Sequence, residues 1–393
     1  MATVTRAVHS PRPATFLFIA AIGACSPAAR APGGDAGEQS PCPGSGPTGS
    51  GLVDSGSESE LLDAGLGDAA APPSCLAGGP GLSDCGSAKE SCCTSLVVPG
   101  GSFYKDYSNA GCEPTCEFNY ASVSTFRLDK YVVTVGRFRQ FVNAVLPGDG
   151  GLGWLPDAGS GKHTYLNLGL GLANANQNGA YEPGWSTQCN PLVTPTSSSL
   201  QSCMGGAPGG YFPGSNWTDQ PGANENEAIV CVNGCEAYAF CIWDGGFLPS
   251  DAEWVYAAAG GDEQRAYPWG PADPGLANRY AIYDCAYPTP TPSLTCTSAA
   301  LNLAAVGTAP LGAGRWGHLD LAGEVWERSL DGAEDTSCTD CAVVAYRDGA
   351  PGGVVRGGSY NSPGPGLLAP SYSGSSGPAE RRYDTGFRCA RSP

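Results

Sequence analysis

Gly246-Phe247-Leu248-Pro249-Ser250-Asp251-Ala252-Glu253-Trp254 runs on into Ala257-Ala258-Ala259 and stops at Gly260-Gly261. Pro249 precedes Ser250, and Glu253 follows three residues on. That is a Ser-x-x-Glu capping box, in which each side chain satisfies an orphan backbone N–H of the first helical turn. The alanines extend this helix and the glycine pair ends it. Just upstream, Gly234 to Trp243 reads as another helix, ended by Gly245-Gly246. Earlier still, Thr134 suits an N-cap, and Phe138, Phe141, Val142 and Val145 fall at i, i+3, i+4 and i+7. They form one apolar helical face that Pro147-Gly148 terminates.

Between these helices the chain favours strands and turns. Leu96 to Phe103 reads as a strand entering a turn, and Phe126 to Val133 alternates in part and reads as another strand. Residues 148–224 are rich in Gly, Asn and Ser with scattered Trp and Tyr, and read as a long, decorated loop region. Asn216-Trp217-Thr218 fits a glycosylation sequon by chance. After Pro268 short strands and turns return. Few helices among many short strands and long loops predict an α+β domain.

Composition bounds the function. The chain has 393 residues, 58 Gly, 34 Pro and a formal net charge of -17. Such a charge repels phosphate backbones, so no nucleic-acid partner is expected. Arg6 and Arg12 precede the apolar run Ala14 to Ala24, far short of the roughly 20 residues of a membrane span. Ile22-Gly23-Ala24-Cys25 then looks like a lipobox. Residues 1–24 are therefore read as a lipoprotein signal peptide and Cys25 as the lipidation site, which makes the membrane a partner. Ser26, rather than Asp, favours the outer membrane if the host has one. Residues 25–95 read as a disordered Gly/Pro/Ser-rich acidic tether with little apolar surface to offset ordering entropy. Cys75, Cys85, Cys92 and Cys93 form a small stapled knot at its end. The chain carries 18 cysteines, and export puts most of them in disulfides. Lipidation of Cys25 leaves an odd number, so at least one thiol is free or pairs outside the chain.

Five segments, in order, carry a family resemblance. They are Val98-Pro99-Gly100-Gly101-Ser102-Phe103; Leu128-Asp129-Lys130-Tyr131-Val132-Val133-Thr134 with Phe138 and Phe141; Ala237-Tyr238-Ala239-Phe240-Cys241 through Trp254 and Gly261 to Tyr267-Pro268-Trp269-Gly270; Gly317-His318-Leu319-Asp320-Leu321-Ala322-Gly323-Glu324-Val325-Trp326-Glu327; and Val355-Arg356-Gly357-Gly358-Ser359-Tyr360 joined to Gly386-Phe387-Arg388-Cys389-Ala390-Arg391. Residues 96–392 thus resemble the formylglycine-generating enzyme (sulfatase-modifying factor) family. The resemblance implies a single α+β domain with a C-type-lectin-like fold, low regular secondary structure and a surface groove. Trp254, Trp269 and Trp326 read as core anchors. Arg356 and Arg388, in Gly-rich contexts, read as guanidinium staples for loop carbonyls and carboxylates.

The resemblance also implies chemistry. Catalytic members hold copper(I) on two cysteines five residues apart, shortly after the Arg-Gly-Gly-Ser block; soft thiolates suit that ion. The corresponding positions are Ser362 and Leu367, and no cysteine lies between Cys341 and Cys389. Copper is not expected, and no catalytic residue is assigned. Iron held by a histidine cluster is not expected either: only His9, His163 and His318 occur, His9 within the signal, and His318 reads as a surface or loop residue. The family's structural calcium site matches Asp320, Gly323, Val325 and Glu327, with Glu324 replacing the usual Asn and Arg328 the usual Trp. A second calcium site matches Asn278 and Arg279 alone. Hard oxygens suit calcium. The matching family cysteines pair Cys241 with Cys389, and Cys285 with Cys296 is a further guess. Cys338-x-x-Cys341 is read as disulfide-bonded, locally or to a distant cysteine. The reading is a non-catalytic, lectin-like binding or structural domain on the envelope with a protein or glycan ligand. The alternative is an oxidase acting on exported protein or small-molecule substrates.

Overall fold

A computed structural model describes residues 71–105, 107, 119–146, 153–203, 214–290, 296, 302–332, 338–346 and 352–393. The expected signal peptide, Cys25 and the tether up to residue 70 lie outside the described residues. Strands β1 (Ser95–Val98), β4 (Phe126–Asp129) and β11 (Ala390–Arg391) form an antiparallel sheet with β4 in the centre. Leu128 pairs with Leu96 on one side and Ala390 on the other, so the last block of the sequence docks against the second. A four-stranded sheet has the order β10 (Thr385–Gly386), β6 (Trp326–Gly332), β8 (Gly353–Arg356), β9 (Ser373–Ser376). Two short ribbons complete the sheets: β2 (Gly101–Tyr104) with β3 (Tyr120–Val123), and β5 (Ala173–Asn174) with β7 (Cys341–Ala342). The predicted strand from Leu96 to Phe103 is therefore two strands broken at Pro99-Gly100.

The helices lie where their caps put them. Helix α1 (Val135–Val145) starts from Thr134, whose side chain accepts the Arg137 N–H. After the short α2 (Ser197–Leu200), α3 (Gly234–Trp243) opens with a capping box of Asn233 and Glu236. Helix α4 (Asp251–Ala259) has the Ser250–Glu253 box, and Gly260 ends it in the left-handed conformation that glycine adopts without steric cost. Phe138 and Phe141 of α1 meet Phe240 of α3 and, for Phe138, Phe387, with ring centroids 5.5–6.3 Å apart. All four are fully buried and form the centre of the largest core cluster.

Two expectations need correction. The folded domain includes residues 71–95 and does not begin at residue 96. Disulfides Cys75–Cys93 and Cys85–Cys92 staple this N-terminal piece, as expected of the knot. It is also core rather than tether: Leu82, Cys85 and Cys92 are buried, and Ser74 and the Cys92 carbonyl accept from the fully buried Arg137. Likewise, residues 153–203 and 214–217 have little regular structure but are not decoration. Leu166, Leu172, Trp185, Leu200 and Trp217 are buried in the main cluster. A chain can supply core without helices or strands if side-chain contacts satisfy its backbone polar groups.

Candidate functional site

The site is built around two buried arginines. Arg356, at the end of β8, forms a bidentate pair with Asp251 at the start of α4, both contacts 2.7 Å. Lys105, just past β2, joins Asp251 at 3.3 Å. Burial pushes the Asp251 carboxyl up, but Arg356 and Lys105 outweigh it and hold the group below the usual carboxylate range. Asp331 accepts the Asp251 backbone N–H, and burial beside that charge raises its pKa to about 7. Arg388 makes the second pair: its Nε and Nη2 donate to Glu327 at 2.6 and 2.7 Å, and the Trp254 indole donates to the same carboxylate at 3.0 Å. Its remaining donors reach the carbonyls of Asp129, Lys130 and Leu319. Both arginines are thus the staples the sequence implied. Of the three expected tryptophan anchors, only Trp254 is fully buried; Trp269 and Trp326 are half-buried.

The segment after Arg356 carries the positions that matter for copper. Gly357 and Gly358 have positive φ. A Cβ on Gly358 would come within 3.0 Å of the Leu367 carbonyl and the Leu368 side chain, so only glycine lets the segment fold back on itself. Ser362 is 2 % exposed, and its hydroxyl accepts the Ser359 N–H at 2.9 Å. Leu367 is half-buried, while its neighbour Leu368 is packed against Ala281, Tyr283 and Ala322. A hard hydroxyl spent on a backbone N–H and a hydrocarbon side chain do not fit copper(I). Cys389, the next cysteine along, is bonded to Cys241, as the resemblance implied. Cys285–Cys296 and Cys338–Cys341 are also formed, the latter the local alternative.

The side chains at the calcium positions have protein partners. Both Glu327 oxygens accept from Arg388, and one of them from Trp254 as well. Asp320 accepts the Gly307 N–H at 2.8 Å, and burial lifts its pKa to about 6 against the pull of Arg388. Glu324 is 2 % exposed, accepts the Ala304 N–H with one oxygen, and is pushed far up by burial. Among the described residues no group of three or more His, Cys, Asp or Glu side chains converges in a way that would hold a metal ion. As arranged, the turn is held by a guanidinium, and the residues do not fit calcium without displacing Arg388. At the second set, Asn278 donates to the Ala286 carbonyl at 2.9 Å and the Arg279 carbonyl accepts the Leu311 N–H.

Neither described histidine is a surface residue. His318 is fully buried, and burial with the nearby Arg388 charge lowers its pKa to about 3. His163 is also fully buried, with Nδ1 on Glu182 and Nε2 on Glu253, each at 3.1 Å. Burial works against its charge, but the two carboxylates outweigh it and raise the pKa to about 10. The same Glu253 that caps α4 therefore clamps residues 153–203 to that helix through an imidazolium.

On the surface above Lys105, a cleft of about 370 Å³ opens between the end of β2, the turn after α4 and the stretch that follows Leu368. Tyr104, Lys105, Gln264, Arg265, Tyr267 and Tyr372 are among its walls. Sequence reading singled out none of the six in this role, although Tyr267 lay within a signature block. Gly366, beside the second copper-equivalent position, also lines it. The groove the resemblance implied is thus present, walled by rings and donors, with no thiol among its described lining residues.

Residues 83–393 match the sulfatase-modifying factor enzyme 1-like domain. A formylglycine-generating enzyme from Thermomonospora curvata is 27% identical over 329 residues, covering 76% of this chain and 93% of that protein. A hercynine oxygenase from Mycolicibacterium smegmatis is 27% identical over 317 residues, covering 76% of this chain and 61% of that protein. Among solved structures, PvdO from Pseudomonas aeruginosa is similar at 20% identity and a TM-score of 0.47, over 80% of this chain and 100% of that one. The match of residues 83–393, which takes in all five blocks, makes this chain a member of the sulfatase-modifying factor enzyme 1-like domain family.

Proposed function

We propose that the protein is a non-catalytic, lectin-like binding domain, anchored to the cell envelope by a lipid on Cys25, that takes its ligand in the cleft beside Tyr372. One observation carries the reading: where the copper thiolates of catalytic members would stand, Ser362 is buried against the Ser359 N–H and Leu367 has no donor atom. Two thiolates converging on one ion are the heart of that chemistry, and hydroxyl and alkyl groups do not replace them. The basic residues Arg6 and Arg12, the short apolar run and the Cys25 lipobox support the anchor, with the outer membrane as destination where one exists.

A second reading has its own support, because the relative named formylglycine-generating enzyme is matched over 93% of its length. In that reading the protein is an oxidase of exported protein or small-molecule substrates. One experiment separates the two. The purified protein is reduced, loaded with copper(I) and given a Cys-x-Pro-x-Arg peptide under oxygen. The binding reading expects the peptide thiol to persist. An aldehyde product by mass spectrometry, lost on Cys338→Ala or Cys341→Ala, establishes the oxidase instead.

A further inference from the structure

We propose that the cleft takes an acidic sugar, a uronate unit of a saccharide, with its carboxylate on Arg265 and Gln264 and its ring against the tyrosines. The proposal rests on the cleft being a binding site and adds the ligand's chemistry. Charge gives the first argument. The chain carries a formal charge of -17, yet the described lining residues include Lys105 and Arg265 and neither Asp nor Glu. The carboxylates that partner these cations are shared with other cations. Asp251 serves Arg356 as well as Lys105, and Glu263 serves Arg315 as well as Arg265. Among the described lining residues an anion meets donors and no carboxylate, and the Glu263 charge behind Arg265 is shared with Arg315.

The second argument is an unused donor. Gln264 Nε2 is buried and has no hydrogen-bond partner. A buried amide N–H without an acceptor costs about 1–3 kcal/mol, so a ligand oxygen there relieves a standing penalty. Arg265 is next in sequence. It donates Nε to Glu263 at 2.6 Å and Nη1 to the Pro268 carbonyl at 2.9 Å, and none of the described hydrogen bonds uses its Nη2. An amide and a guanidinium from adjacent residues suit the two oxygens of one carboxylate.

The rings give the third argument. Tyr267 stacks on Trp269 with centroids 5.0 Å apart and planes 10° from parallel. Tyr372, 43% exposed, packs against Trp326 on the other wall. Rings braced from behind are platforms for the apolar face of a sugar. Hydroxyls distinguish a sugar from a flat aromatic acid. Ser371 and the tyrosines put several hydroxyls on the lining. A hydroxyl-poor ligand would strip these of water and leave them unpaired, whereas a hydroxyl-rich one replaces the water. The cleft volume of about 370 Å³ lies at the lower end of the ligand-pocket range, which suits a small saccharide unit.

The test is calorimetric titration of the full-length protein with trigalacturonate, its methyl ester and the neutral galactotriose. The free acid should bind about tenfold or more tightly than the ester or the neutral sugar, as expected for a charge-assisted contact. Arg265→Gln should abolish this preference, and Tyr372→Ala should weaken all three ligands. The ester changes only the ligand, so that comparison stands even if Arg265→Gln disturbs the turn. Absence of heat with the acid overturns the proposal. So does equal affinity for acid and ester, or binding unchanged by both substitutions. Failure here with the Cys-x-Pro-x-Arg peptide still intact removes the acidic sugar and leaves the binding-domain reading. An aldehyde product removes that reading itself.

Discussion

Residues 317–332 with 385–391 and residues 153–203 are both well packed, but by different means. The first region is a signature block and its partner. Its strand β6 lies between β8 and β10, and a buried bidentate pair, Arg388 on Glu327, ties its two pieces together. The second has one two-residue strand, one four-residue helix and a few 3₁₀ turns. It is held instead by point fastenings: the His163 clamp, the Cys189–Cys235 disulfide, and Trp185 wedged on Tyr238. Regular pairing spreads stability along a strand, whereas fastenings concentrate it in a few side chains. Damage should therefore be global in the first region and local in the second.

The sharpest way to break the contrast is Arg388→Ala. It leaves the buried Glu327 uncompensated and strips donors from the Asp129, Lys130 and Leu319 carbonyls. Removing one partner of a buried pair costs about 3–5 kcal/mol, so the whole cooperative transition should fall and little folded protein should be recovered. A near-wild-type melting curve would show that the sheet does not depend on this pair.

His163→Gln should cost less, about 3 kcal/mol at the low end of the same range. It should show as protease cutting within 153–193 while the rest stays protected. Uniform loss of protection would mean that the fastened segment and the core unfold as one. Proton linkage gives a gentler probe of the same clamp. The folded pKa of His163 is raised from 6.5 to about 10, so its contribution is fully present below pH 6.5 and is lost as pH rises through about 10. Between those limits the wild-type melting temperature should fall more steeply than that of His163→Gln; parallel slopes would remove the charged clamp. The smallest effect concerns calcium. With Glu327 on Arg388, a chelator should leave the melting temperature where it was, and a clear drop would mean that calcium displaces the guanidinium.

What the sequence disclosed follows the same division. Local signals were readable: the Ser250–Glu253 box, the Thr134 cap and the helical face of Phe138 and Phe141 lie within a few residues of their partners. The Asn233–Glu236 box had the same spacing signal and was missed. Family resemblance supplied one long-range fact, Cys241–Cys389. Fastenings without a motif were not legible. His163 meets carboxylates from Glu182 and Glu253, on two separate parts of the chain, and nothing around it announces either. The cleft is harder still. Tyr104, Gln264 and Tyr372 come from three distant parts of the chain, and only the fold makes them neighbours. The knot cysteines were recognised as a group, but not their partners, nor that they close over Arg137.

The Cys241–Cys389 bridge spans 148 residues, which bears on how the chain matures. At about 5–20 residues per second, Cys241 waits roughly ten seconds or longer for its partner to be made. If the chain enters an oxidising compartment N-terminus first as it is made, Cys241 has Cys231 and Cys235 close by in sequence during that interval, whereas the N-terminal pairs, 18 and 7 residues apart, close almost at once. Vectorial emergence therefore favours wrong partners for Cys241 and right ones for Cys75 and Cys85. Correct maturation of the core requires that Cys189 and Cys203 claim Cys235 and Cys231 first, or that a disulfide isomerase undo the errors once the last block has appeared.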